Sequence, residues 1–221
     1  MKKSSAVILD CVLIAAGTAG CERFLGPKVV GSGISTTQTR TVDGVYSALD
    51  IAGGLTVEAV VGESTSLEIT GDDNIVPLIQ TIVRDSRLMI ELKERVKPVT
   101  PIKIVARLSS VSRISCAGAV TLRMDGITGE KLEFETAGAG SATLRGQVME
   151  LSIDSAGAGD IDAAGLLAKR VSVDIAGAGN VTTHAEESLK VSITGAGNVS
   201  YSGEPKIEQT VTGFGKVKRK E

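Results

Sequence analysis

Apolar and polar residues alternate in five stretches of the second half of the chain, Leu132–Thr136, Leu151–Ser155, Val171–Ile175, Leu189–Ile193 and Ile207–Val211, the last interrupted by Gln209. In Leu132-Glu133-Phe134-Glu135-Thr136 and Leu151-Ser152-Ile153-Asp154-Ser155 the apolar residues hold every second place. A period of two marks a strand with one face buried and the other wet. Each stretch runs into a short glycine and alanine segment, and a second, shorter strand follows. The inward column of that second strand reads Leu122, Ala142, Ile161, Val181, Val199 and Val217. Many copies then turn at another glycine, such as Gly126, Gly146, Gly165 and Gly203.

The glycine segments set the period. Ala117-Gly118-Ala119-Val120, Ala137–Gly140, Ala156–Gly159, Ala176–Gly179, Thr194–Gly197 and Thr212–Gly215 place their first glycines 20, 19, 20, 18 and 18 residues apart. A unit of that length with two strands cannot bury its apolar face alone. Stacking units at the ~4.8 Å strand spacing pairs each strand with its copies and closes a continuous core. The expected fold is therefore all-β: a parallel β-helix (β-solenoid) with about 18–20 residues per coil. An antiparallel sandwich, the rival for short alternating strands, does not explain glycine corners at fixed intervals. Glycine suits the corners because the chain there needs dihedrals closed to residues with a Cβ.

Residues 31–110 are less regular and read as the first, irregular coils of a single domain spanning 31–221, with regular repeats over 111–217. Within them, Asp72-Asp73-Asn74 before Ile75–Ile82 predicts a short helix capped by Asn74, with Pro77 in its first turn. The run Lys216, Lys218, Arg219 and Lys220 reads as a charged, solvated end that protects the last coil.

Composition adds an address. Met1-Lys2-Lys3, a mostly apolar Ala6–Ala16 and Thr18-Ala19-Gly20 before Cys21 form a signal peptide over 1–20. Cys21 is the candidate lipidation residue, as in the lipobox of bacterial lipoproteins, and 21–30 would be the lipidated tether to a membrane. Thr18, where that pattern has leucine, and Asp10 within the apolar stretch depart from it. Plain secretion and an uncleaved anchor are the alternatives. Glu22, rather than the aspartate associated with inner-membrane retention, points to the outer membrane. Of three cysteines only Cys116 would remain as a free thiol, on an inward position with no histidine nearby. The lone His184 falls in an exposed turn of another coil.

Aromatics make up 2% of the chain, there is no Trp, and the net charge is −2, so a nucleic-acid partner is not expected. Candidate binding residues lie in two outward columns. Glu135, Asp154 and Asp174 align on consecutive coils, without an aligned arginine or histidine to serve as acid–base partner. Asp160, Asn180 and Asn198 align in a second column, between Ser141 and Lys216, where stacked amides can form a ladder. No residue set for a cofactor or a metal is present, and no catalytic residue is assigned.

The Gly31-x-Gly33 opening, Ala48-Leu49-Asp50-Ile51 leading to Gly53, Gly71-Asp72-Asp73-Asn74, Leu88-Met89-Ile90 and the serial Gly-Ala-Gly motifs together resemble the putative auto-transporter adhesin, head GIN domain family, from about Gly31 onward. The resemblance implies a right-handed parallel β-helix and an exported, often lipid-anchored protein, and it brings no reaction. Val120 departs from it, because the first repeat lacks its second glycine. The expected function is non-enzymatic: a cell-envelope protein offering a solenoid surface to a glycan or protein. A carbohydrate-active β-helix enzyme (lyase or hydrolase) and a purely structural envelope protein are the alternatives.

Overall fold

The computed structural model describes residues 28–220 apart from Asp43, Val45, Glu63 and Ser64. The signal peptide, Cys21 and most of the tether lie outside the described residues. The strands, in chain order, are β1 (Val29–Val30), β2 (Ser35–Arg40), β3 (Ala48–Gly53), β4 (Thr56–Val61), β5 (Ser66–Asp72), β6 (Ile79–Arg84), β7 (Arg87–Leu92), β8 (Val96–Lys97) and β9 (Lys103–Leu108). The repeats follow as β10 (Arg113–Gly118), β11 (Thr121–Gly138), β12 (Ser141–Gly157), β13 (Asp160–Gly177), β14 (Asn180–Gly195), β15 (Asn198–Ser202), β16 (Lys206–Gly213) and β17 (Lys216–Arg219). Among the described residues no helix is long and apolar enough to cross a membrane.

From β10 upward the chain is a parallel β-solenoid, each coil stacked in register on the one before. Ile114, Phe134, Ile153, Val173 and Val191 form one inward column and are buried. Aliphatic side chains fill the interior, each worth about 1.5–3 kcal/mol when fully buried.

The glycines behave as steric requirements. Gly138, Gly157, Gly177, Gly195 and Gly213 all have positive φ, between 127° and 141°. The following glycine column, Gly140, Gly159, Gly179, Gly197 and Gly215, lacks the positive φ, but there too a Cβ would meet the backbone carbonyl oxygen of the corner residue one coil below, and near the top of the stack a side chain as well. A Cβ on Gly197 would lie 2.8 Å from Ile175 Cγ2, and one on Gly215 2.7 Å from Ile193 Cγ2. Lower in the stack this column holds Leu55 and Val120, both buried.

The first third departs from the expected succession of coils. β10 rests on β3, and the start of β11 on β4. Below β3 and β4, however, lie β7 and β9, which come later in the chain. The chain therefore builds its second rung first, continues to the rung beneath, and skips past the second to begin the third. Antiparallel strands close this lower end: β6 on β7, β5 on β9, and β2 on β5. The β6–β7 hairpin turns at Asp85 and Ser86, the described non-glycine residues with positive φ (49° and 59°), as a two-residue loop of the type I′ kind needs.

The expected helix is absent. Only Val76–Leu78 makes a 3₁₀ turn, without a side-chain cap, and Ile79 onward is strand β6. Asn74 instead donates from Nδ2 to the Val30 carbonyl and accepts from the Ser32 amide, which ties the opening segment to this turn. Beside it, the buried Asp72 carboxylate accepts from the Gly33, Val99 and Thr100 amides at 2.8–3.1 Å. The Gly31-x-Gly33 and Gly71–Asn74 motifs are thus two halves of one clamp.

Candidate functional site on the solenoid wall

Register, not loop geometry, assembles the candidate site. One outward column runs Asp50, Ser115, Glu135, Asp154, Asp174, Ser192 up the same wall. Its neighbour runs Ala48, Arg113, Glu133, Ser152, Ser172, Lys190. The expected alignment of Glu135, Asp154 and Asp174 on consecutive coils is therefore the observed one, at the ~4.8 Å spacing of paired strands.

No arginine stands in this column, but one reaches it from the next. Arg113 pairs with Glu133 and reaches Glu135 at 3.4 Å, while Lys131 also pairs with Glu133. Two residues before Ser115 on the same strand, Arg113 sits one column over, where adjacent columns on one wall are close enough for a long side chain to bridge. Further down, Arg87 pairs with Asp50 at 3.1 Å.

The wall consequently divides. Its lower part is charge-balanced, whereas Asp154 and Asp174 have no ion pair among the described residues. Partial burial raises the Asp154 carboxyl above its ordinary range, and the nearby carboxylates of Asp174, Glu135 and Glu133 push it further. Lys131, through its hydrogen bond, holds the Glu133 carboxyl below the usual range, with help from Arg113. The upper wall is a line of acceptors held at fixed spacing, suited to hydroxyl or ammonium donors on a ligand.

Across the glycine corner the second column forms a hydrogen-bonded ladder. Asn180 Nδ2 donates to Asp160 Oδ1 at 2.8 Å, and Asn198 Nδ2 to Asn180 Oδ1 at 3.0 Å. These side chains satisfy one another along the stack. A third set of charged residues escaped the sequence reading. Arg170 binds Glu150 at 2.7 Å and Glu187 at 3.6 Å, and Asp125 faces Arg123 and Arg145. These exposed pairs contribute about 0–1 kcal/mol each. Glu150 and Arg170 are register partners on neighbouring coils, whereas Asp125, Arg145 and Glu187 lie at register shifts (Met124/Ile127, Thr143/Arg145 and Ala168/Arg170), where a fixed period does not align them.

Cys116 is buried and free, and burial, with Asp50 adding to it, pushes its thiol up to about 12. His184 is not in an exposed turn: it lies within β14, half-buried, with Nδ1 2.9 Å from Ser202 Oγ on the next coil. A cavity of about 10 Å³ beside Cys116, Phe134 and Thr136 is the size of one water. A cleft of about 130 Å³ between Thr41, Thr81 and Val83 is smaller than small-molecule sites of several hundred Å³.

The family model described as "Putative auto-transporter adhesin, head GIN domain" matches residues 45–205. Among solved structures, a putative adhesin from Bacteroides fragilis is 24% identical with a TM-score of 0.72, the match covering 87% of this chain and 100% of that one. A putative lipid binding protein from Parabacteroides distasonis is 20% identical with a TM-score of 0.61, over 88% of this chain and 100% of that one. A putative adhesin from Parabacteroides merdae is 21% identical with a TM-score of 0.54, over 89% and 100%. At these identities the structural likeness establishes the fold. No curated protein matches the chain.

Proposed function

Because the chain belongs to the putative auto-transporter adhesin, head GIN domain family, we propose that it is a non-enzymatic, lipid-anchored adhesin of the bacterial cell envelope. In this reading Cys21 carries the lipid and the upper wall of the solenoid meets a glycan or protein ligand. The observation that carries the wall is the register-locked column Glu135, Asp154, Asp174, whose two upper carboxylates have no ion pair among the described residues. A rigid row of acceptors binds without reorganising, so little conformational entropy is lost on association. The ligand it favours presents donors at a matching interval: sugar hydroxyls, amino sugars, or lysine and arginine side chains. The family name and the names of the adhesin neighbours support an adhesive role.

Adhesion of cells carrying the wild-type protein to surfaces coated with glycans or basic proteins tests this. The variant with Glu135→Lys, Asp154→Lys and Asp174→Lys is expected to remain in the membrane fraction and to adhere about tenfold less, as charge reversal at a central patch predicts. Cys21→Ser is expected to move the protein into the soluble fraction and abolish adhesion by the cells. A triple variant that adheres like wild type removes the wall from the function, and an unchanged membrane fraction for Cys21→Ser removes the lipid. New reducing or unsaturated ends on a polysaccharide would instead establish the enzyme.

A further inference from the structure

The two ends of the stack are finished differently. At the lower end the inward residues Leu88, Ile90 and Ile104 are fully buried beneath antiparallel strands. There the Arg40 guanidinium donates to the carbonyls of Val76 and Ile79, which occupies acceptors at the end of β6. At the upper end no antiparallel strand covers the last rung among the described residues. Among the described residues β16 pairs only with β14 and β17 only with β15, so one edge of each presents unpaired backbone groups. Ile207 and Val211 are 44% and 40% exposed, and Phe214 at the corner is 90% exposed. β17 is a regular rung, with Val217 in the expected inward column, and its basic side chains are exposed, as expected of a charged, solvated end.

The charge of this end selects among occupants. This end carries five basic residues, Lys206, Lys216, Lys218, Arg219 and Lys220, against three acidic ones, Glu204, Glu208 and Glu221, and Glu204 is already paired with Arg219 at 3.2 Å. Lys216 and Lys218 stand on alternate positions, above Asn198 and Ser200. A second copy would set like charges against each other. Lipid chains offer no partners to a row of backbone N–H and C=O groups. An extended acidic polypeptide supplies all three needs: hydrogen bonds to the edge, apolar side chains over Ile207 and Val211, and carboxylates over the lysines.

We propose that the last rung, β16 and β17, is an edge-docking site for an acidic, strand-forming segment of a partner protein, which adds to the solenoid as its next rung. Gln209 and Arg219, which end two of the inward columns, keep the unoccupied edge compatible with water. The site is separate from the wall and stands whether or not the wall binds a ligand.

Labelled synthetic peptides alternating valine with aspartate, or valine with lysine, titrated into the full chain at low salt and followed by fluorescence anisotropy, test it. The valine–aspartate peptide is expected to bind, and to slow hydrogen exchange at alternate amides of Lys206–Gly213. Lys216→Glu with Lys218→Glu is expected to weaken binding about tenfold or more. Absence of binding, equal binding of both peptides, an unaffected double variant, or unchanged amide exchange would overturn the proposal. So would self-association of the chain, or capture by phosphatidylglycerol vesicles, that displaces the peptide.

Discussion

Replacing Gly177 by valine is expected to destabilise the fold by about 4 kcal/mol or more, enough to unfold most single domains of marginal stability. Two penalties coincide. Gly177 has a φ of +141°, which side chains with a Cβ rarely adopt. A Cβ there would also overlap the Gly157 carbonyl oxygen directly below, with the Gly157 carbonyl carbon at 3.0 Å and its nitrogen at 3.1 Å. Those atoms are backbone within the ladder and cannot swing aside. Relief would require separating two coils along their whole length, at the cost of hydrogen bonds on both sides. Gly54 supplies the control, since a Cβ there meets nothing within 4 Å. Gly54→Ala is expected to change stability by about 0.5 kcal/mol or less. Denaturant unfolding of both variants checks the pair. Equal losses would mean that the corner glycines are not steric requirements.

Gly31→Ala is expected to cost about 3 kcal/mol, although this residue lies in an opening segment outside the solenoid coils. Its added Cβ would come within 2.5 Å of Asp72 Cγ and 2.7 Å of the Val99 nitrogen. The clamp around Asp72 would have to open, and with it the packing that closes the lower end. The same clamp fixes a pH dependence. Burial alone would raise the Asp72 carboxyl, but the amides of Val99, Thr100 and Gly33 together hold it below the usual carboxylate range. A carboxyl depressed in the folded state contributes stability above its unfolded pKa of about 4, and that contribution is lost as pH falls through the folded value. Asp72→Asn is therefore expected to be less stable than wild type at neutral pH, with the difference shrinking in acid. Urea titrations at neutral and acidic pH measure it; a difference that stays constant would place the effect outside the carboxylate's charge.

The upper coils were legible in the sequence because one rule, period two between glycine corners, governs every rung there. The column Glu135, Asp154, Asp174 follows from counting back a fixed number of residues from each corner. Three things resisted that counting. Arg113 joins the acidic wall from a neighbouring column, and a contact across columns depends on side-chain reach rather than spacing. Glu187 joins the register pair Glu150–Arg170 from a coil where a bulge shifts the register. The lower end is formed by long-range pairing: Asp50 lies beneath Ser115 although it comes 65 positions earlier in the chain, and Met89, nearer in sequence, lies one level further down. The apparent helix over Ile75–Ile82 shows the same limit, because β6 is recruited by the edge of β7 and not by local preference.

The threading of the lower coils sets the level and phase of every column above them, and engineered disulfides test it most directly. In a background with Cys11, Cys21 and Cys116 replaced by alanine, cysteines at Asp50 and Ser115 occupy neighbouring strands about 4.8 Å apart, within disulfide reach. Cysteines at Met89 and Ser115 are two levels apart, about 9.6 Å, and out of reach. Oxidation is predicted to close the Asp50–Ser115 pair and to leave the Met89–Ser115 pair reduced. Closure of the Met89–Ser115 pair with the Asp50–Ser115 pair left open would contradict it, and would mean that the coils stack in chain order.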